Sequence, residues 1–291
     1  MIIKILKWAG ITLLSVIALL GAGYGLIAMN IKNRTVRQYN FDNEVLDIKS
    51  DSVTLARGKH LVAIKGCQDC HSKDLSGRIM MDDGAVGRLS ASNLTGGKGG
   101  LPSDYSATDW IKALRHGIDK SGQPLIFMPS HETTLLSEQD MAAIIAYCQT
   151  VPDVDHELPP INLGPVANVM SYFDKMPLFS VEKIDHAKPM VARADTVEGI
   201  KLGEYLAVSC SGCHRADFKG GDPLAPGLPP VPDITSSGNP GKWTQQQFLQ
   251  TLRSGKTPDG HQMKNDDMPW QMTAQYEDKE LASLYQFLHS R

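Results

Sequence analysis

The chain has 291 residues, a formal net charge of −3, 42% hydrophobic and 21% charged residues. That length suits two modest domains, and a near-neutral balance with no basic stripe excludes a nucleic-acid interface read from charge. Five cysteines in 291 residues are too sparse for a disulfide framework.

The first element is apolar. Trp8 to Met29 is a run of 22 residues without a charged side chain, flanked by Lys4 and Lys7 before it and Lys32, Arg34 and Arg37 after it. As a helix it extends about 33 Å, enough to cross a hydrocarbon core. It reads as an uncleaved membrane anchor over residues 1–30. The competing reading is a cleaved leader with Gly21, Ala22 and Gly23 near the cleavage site, but the apolar run continues past them and a leader's core is usually shorter. Basic residues on both sides leave the orientation undecided by charge. Residues 31–50 read as a polar tether.

The next element is a short helix-like stretch carrying Gly58-Lys-His-Leu61, and it runs into Cys67-Gln-Asp-Cys70-His71. Cys-x-x-Cys-His is the attachment signature of a c-type haem. Each cysteine sulfur bonds a vinyl carbon, and the histidine that follows is the fixed axial ligand of the iron. Two rival readings explain less. A redox dithiol has no use for the histidine, and a four-cysteine zinc site leaves both histidines idle. Asp74-Leu75-Ser-Gly77 and Asn93-Leu94-Thr95 follow, then the glycines Gly96, Gly97, Gly99 and Gly100. The glycine stretch lacks the strand and Lys-Ser/Thr context of a phosphate loop, so no nucleotide site is read there.

An amphipathic helix comes next, with Trp110, Ile111, Leu114 and Arg115 on it and Gly117 as its stop. A loop leads to Met128-Pro129. The last helix of this half is capped by Ser137, has acidic residues in its first turn, and buries Met141, Ile144, Ile145 and Tyr147. Cys148 on that run reads as a buried free thiol. Residues 153–195 contain Pro159, Pro160, Pro165, Pro177 and Pro189, a density that breaks regular structure. The segment is also too apolar for a free tether. It is expected to pack on the domains, with a short helix near Ala167–Lys175.

The second half repeats the first. Gly203-Glu-Tyr-Leu206 runs into Cys210-Ser-Gly-Cys213-His214, two residues sooner than in the first copy. Asp217-Phe218-Lys-Gly220, Asp233-Ile234-Thr235, a helix with Phe248, Leu249, Leu252 and Arg253, the stop Gly255, Met268-Pro269 and a final helix from Tyr276 onward match in order.

Each unit therefore reads helix, haem motif, loop, helix, methionine loop, helix. In that order of motifs each half resembles a class I cytochrome c domain, over roughly residues 51–152 and 196–291. The whole is similar to membrane-anchored dihaem c-type cytochromes of bacterial respiratory chains and membrane dehydrogenases. The resemblance implies an all-α fold, a transmembrane helix followed by two tandem helical domains, and two covalently attached haem c groups. The haem-binding residues it implies are Cys67, Cys70, His71 and Met128 in the first half and Cys210, Cys213, His214 and Met268 in the second. His71, Met128, His214 and Met268 are the expected iron ligands. A thioether suits reduced iron and raises its potential.

Met263 and His131 are the nearest competitors for the sixth positions. His116, His261 and His60 are weaker ones. Arg115 and Arg253 are read either as surface ion-pair residues or as partners of haem propionates, and Trp270 is expected against the porphyrin rim. The function implied is one-electron transfer from a membrane dehydrogenase or quinol oxidiser to an acceptor such as a terminal oxidase, without catalysis of its own. The location implied is the cytoplasmic membrane with both haem domains on the periplasmic or outer side. The alternative is a dihaem enzyme, a peroxidase or sulfur-compound dehydrogenase, with one iron open to substrate.

Overall fold

The computed structural model of the chain describes residues 1–224 and 229–291. A single helix, α1 (Ile2–Thr35), opens the chain, and its apolar residues are exposed over most of its length. It is long and apolar enough to cross a membrane.

The first repeat begins with α2 (Ser52–Ile64), whose N-terminal amides bond the Asp51 side chain. After a break at Lys65 and Gly66 the helix restarts as α3 (Cys67–His71). A hairpin follows, β1 (Arg78–Asp83) and β2 (Gly87–Ala91). Then come α4 (Ala107–Ile111), continued by one π-helical turn to His116, the four-residue α5 (Ser130–Thr133), and α6 (Glu138–Cys148). The connecting segment adds β3 (Asn162–Leu163) to the edge of β2 and forms α7 (Pro165–Tyr172). The second repeat is α8 (Ile200–His214), α9 (Gln245–Ser254), α10 (Trp270–Thr273) and α11 (Asp278–His289). The fold is thus two helical units behind one apolar helix, with a small three-stranded sheet as the departure from all-helical expectation.

The repeated glycines explain the helix pairing. In each unit the first helix crosses the last: α2 lies on α6, and α8 on α11. At the crossings a Cβ on Gly58 would collide with the carbonyl oxygen of Ala143, and one on Gly203 with that of Ser283. Only glycine lets the backbones approach so closely. Gly58→Ala or Gly203→Ala gains about 1 kcal/mol in helix propensity. It forces the pair apart at a cost of about 3 kcal/mol. The net expectation is a lower thermal unfolding midpoint for each variant, whereas Gly25→Ala on the open face of α1, where nothing lies within reach of an added Cβ, is expected not to lower it.

The loop after each haem motif is also copied in its backbone. Ser72 and Arg215 take φ of 68° and 69°, and Leu75 and Phe218 take 60° and 61°. The Gly77 amide donates to the His71 carbonyl as the Gly220 amide does to that of His214. Gly117 and Gly255 end their helices with φ of 70° in both cases, the conformation that favours glycine.

The two units share one continuous core, which includes Leu61, Ile64, Met141 and Ile145 from the first and Leu206, Tyr276, Leu281 and Leu284 from the second. Residues 31–50 do not hang free. Phe41 stacks on His116 and His186, the Tyr39 amide donates to the Gly122 carbonyl, and Leu46 and Ile48 pack against the core.

Candidate haem sites

The cysteines stand one helical turn apart, Cys67 with Cys70 on α3 and Cys210 with Cys213 on α8, and none is in a disulfide. Burial pushes the thiols of Cys67 and Cys210 up to about 12. A redox dithiol needs the opposite shift, toward thiolate at neutral pH. No group of three or more metal-ligating side chains gathers among the described residues, so the two pairs do not converge into a zinc site. The arrangement leaves each sulfur pair free for thioether formation.

The histidines carry the clearest signal. His71 Nδ1 donates to the Ser92 carbonyl at 2.7 Å, and His214 Nδ1 donates to the Pro232 carbonyl at 2.9 Å. Each bond fixes the tautomer and the ring, and leaves Nε2 as the unprotonated nitrogen that ligates a metal. Both rings are buried, and that burial holds their pKa below the ordinary imidazole value, so they stay neutral. This fits haem iron.

Met128 and Met268 occupy matching positions. Each precedes a proline that caps a four-residue helix, and each carbonyl accepts the amide two residues on, from Ser130 at 2.8 Å and Trp270 at 2.7 Å. The first loop is further tied by the Ser180 hydroxyl on the Met128 carbonyl at 2.5 Å and by the Phe127 amide on the Leu178 carbonyl at 2.9 Å. Met128 packs against the core that also holds Cys67 and Cys210.

The competitors are engaged elsewhere. The Met263 amide donates to the Gly255 carbonyl just as the Leu125 amide donates to that of Gly117, so Met263 is the structural counterpart of a leucine. His131 Nδ1 bonds the Ser180 hydroxyl at 3.0 Å, His116 Nδ1 lies 2.9 Å from His186 Nδ1, and His60 Nε2 lies 2.8 Å from Glu280. His261 is exposed in a turn. Arg115 is buried and bonds the Thr134 hydroxyl and the Lys188 carbonyl, with Glu44 at 3.4 Å. Arg253 pairs with Asp278 at 2.6 Å. Protein partners thus already hold both guanidiniums. Trp270 packs over Gly255, where an added Cβ would strike the indole.

The contact between repeats is reciprocal, and pattern reading missed it. His60 and Tyr205 are equivalent residues on α2 and α8, and Glu280 and Asp140 are equivalent residues on α11 and α6. His60 bonds Glu280, and the Tyr205 hydroxyl donates to Asp140 at 2.9 Å. Arg57 joins the two pairs, with a bidentate contact to Asp140 at 2.9 and 2.8 Å and Glu280 at 3.6 Å. The Tyr276 hydroxyl donates to the Ile64 carbonyl at 3.1 Å. Both haem motifs therefore lie at this junction. Met272 of the second unit packs on Gly66 before the first motif, and Glu132 of the first packs on Gly212 inside the second. The positions are equivalent and the chemistry is not. Burial pushes the Glu132 carboxyl up to about 7, opposed by the charge of Lys65.

Comparison with known proteins agrees with the duplicated geometry. The cytochrome c family model matches residues 55–152 and 200–291, and the chain belongs to the cytochrome c family. It is 25% identical over 224 residues to the fructose dehydrogenase cytochrome subunit of Gluconobacter japonicus, covering 70% of this chain and 45% of that protein. It is 24% identical over 236 residues to the cytochrome c subunit of the quinone alcohol dehydrogenase of Gluconobacter oxydans, covering 71% and 48%. Over 106 residues it is 32% identical to the gluconate 2-dehydrogenase cytochrome c subunit of Pantoea cypripedii, covering 35% and 24%. The chain thus spans less than half the length of each of these relatives.

Proposed function

We propose that the chain is a membrane-anchored dihaem cytochrome that relays electrons from a membrane dehydrogenase to a downstream acceptor. The observation that carries this reading is the pair of Cys-x-x-Cys-His turns in which each histidine is locked by Nδ1 to a backbone carbonyl, leaving Nε2 for iron. Haem c supplies the reversible one-electron ferric–ferrous couple. The chain's own residues do the rest. Cys67, Cys70, Cys210 and Cys213 hold the two groups covalently. His71 and His214 present neutral imidazoles. Met128 and Met268 offer thioethers from loops tied down by backbone bonds, so ligation changes little between oxidation states.

The three relatives are named as cytochrome subunits of fructose, alcohol and gluconate dehydrogenases, which supports a sugar or alcohol dehydrogenase as donor. A quinone or a terminal oxidase is the proposed class of acceptor. The junction between repeats supports passage of electrons between the two groups. We assign α1 as a single-pass anchor in the cytoplasmic membrane, with both haem domains on the periplasmic side. The packing of residues 31–50 against the first unit supports an anchor retained next to its domain.

Carbon monoxide separates a relay from a dihaem enzyme. The reduced native protein is expected not to bind it at neutral pH, because Met128 and Met268 would fill the position opposite each histidine. Rapid binding at one haem would assign an open iron and a catalytic role.

A further inference from the structure

The connecting segment between the haem units packs against the foot of the apolar helix, not only against the haem domains. α7 lies along the C-terminal part of α1, and its inner face is small and polar: Ala167, Asn168 and Ser171 are buried. Asn168 Nδ2 donates to the Tyr24 hydroxyl at 3.3 Å. Below that contact Ile27 and Ala28 are half-buried, and Ile31 is fully buried against Leu178 and Phe179. Arg34 then clamps Glu182 through two bonds, at 3.0 and 2.5 Å, with its guanidinium 4.3 Å from the Phe179 ring. The end of α1 and the connecting segment are one packed body.

The outer face of α7 is apolar and exposed. Phe173 is 62% exposed, Tyr172 47% and Val166 39%. The depth of α1 says what covers them. The apolar run of α1 ends at Met29, before Asn30, and Tyr24 stands five residues inside it, about 7.5 Å deep by helical rise. A helix that reaches Tyr24 is beside the last turns of the span, at the headgroup–acyl boundary. Aromatic residues favour that layer, and short amphipathic helices settle about 5–10 Å into it. The charged groups nearby suit the same place. Lys32, Arg37 and Lys175 are exposed, and the acidic Asp174 is paired with Lys183 at 2.8 Å.

We propose that α7, with Tyr172 and Phe173, is a second membrane contact: an interfacial helix seated in the phospholipid headgroup–acyl boundary beside the exit of α1. It holds the first haem unit at a fixed height and orientation over the bilayer, where a flexible tether would let it swing. This inference rests on the reading of α1 as a membrane anchor.

The test uses the full haem-loaded chain in phosphatidylcholine–phosphatidylglycerol vesicles. Single cysteines are placed by Phe173→Cys, Leu19→Cys and Lys256→Cys, and their labelling by a charged, membrane-impermeant maleimide is followed by mass. Cys148 is buried and does not compete. A thiol in the boundary layer ionises poorly, and one unit of pKa is tenfold in thiolate. Labelling at position 173 is expected to be about tenfold or more slower than at position 256, with position 19 unreactive. Position 173 reacting as fast as position 256 while position 19 stays protected would overturn the interfacial helix and leave the anchor standing. Equal reaction at all three would remove the anchor reading and this inference with it.

Discussion

Met128→Ala and Met268→Ala are each expected to remove the ferric methionine–iron charge-transfer band from one haem and leave the other unchanged. The fitted potential of the affected haem should fall by on the order of 0.1 V, within the roughly 0.8 V range that axial ligation commands. The same haem should acquire carbon monoxide binding. The reasoning begins with softness: a thioether stabilises ferrous over ferric iron, and its loss leaves the position to water or nothing. It ends with loop geometry. Met128 and Met268 stand at matching points before Pro129 and Pro269, each with its carbonyl bonded two residues on, whereas Met263 stands where the first repeat has Leu125. An unaltered spectrum for Met268→Ala, with the band lost in Met263→Ala instead, would transfer the sixth position to Met263.

Glu280→Gln is expected to loosen the junction between the repeats by about 3 kcal/mol at pH 7, the low end for breaking a buried ion pair, because Arg57 keeps its bidentate contact with Asp140. The carboxyl of Glu280 is 2% exposed. Burial pushes its pKa up, yet the His60 hydrogen bond, the Glu277 amide and the charges of His60 and Arg57 hold it below its ordinary value of 4.5. A lowered carboxyl pKa contributes stability that is complete above the unfolded value and is lost as pH falls through the folded one. The deficit of the glutamine variant should therefore be full at pH 7 and shrink as the pH drops below about 4.5. Urea titrations at pH 7 and at pH 3.5 measure it. A deficit that is equal at the two pH values would show that the carboxylate charge contributes nothing to the junction.

Much of the fold was legible because the chain is written twice. Single apolar runs are ambiguous, but Gly58 with Gly203, Gly117 with Gly255, and Leu75-Ser-Gly77 with Phe218-Lys-Gly220 recur in the same order, and each pair proves to occupy one backbone geometry. The two-residue difference before the cysteines also has a visible consequence. Lys65 and Gly66, with Gly66 at φ 74°, break the first helix, and the second runs through unbroken from Ile200 to His214.

The junction was not legible. Asp140 and Glu280 lie in the first turns of their helices, where the helix dipole favours an acid and gives a sufficient local reason for them, and their partners Tyr205 and His60 lie 65 and 220 residues away. A signal was present: both acids sit one residue before the buried apolar run of their helix, on residues 4% and 2% exposed, where an unpartnered charge would be costly. The three-stranded sheet was missed because β1 is mostly exposed and charged at its end, with no alternation to mark it. Residues 31–50 looked polar in bulk. Their packing depends on a few residues, Tyr39, Phe41, Leu46 and Ile48, whose spacing follows no helix or strand period. For the candidate site itself, residue type and spacing nominated the cysteines and histidines, and the resemblance to class I cytochrome c domains implied the methionines. What the sequence does not display is the second partner of each imidazole, the carbonyls of Ser92 and Pro232, because a backbone carbonyl leaves no mark on residue identity.

The central claim is that two haem groups are bonded to this chain, one at Cys67 and Cys70 and one at Cys210 and Cys213. Intact-mass spectrometry of the protein matured in its membrane tests it most directly. The account predicts the polypeptide mass plus two porphyrin adducts, with one adduct lost in Cys67→Ser/Cys70→Ser and the other in Cys210→Ser/Cys213→Ser. A chain without adducts, or one that carries zinc and no iron, would contradict it.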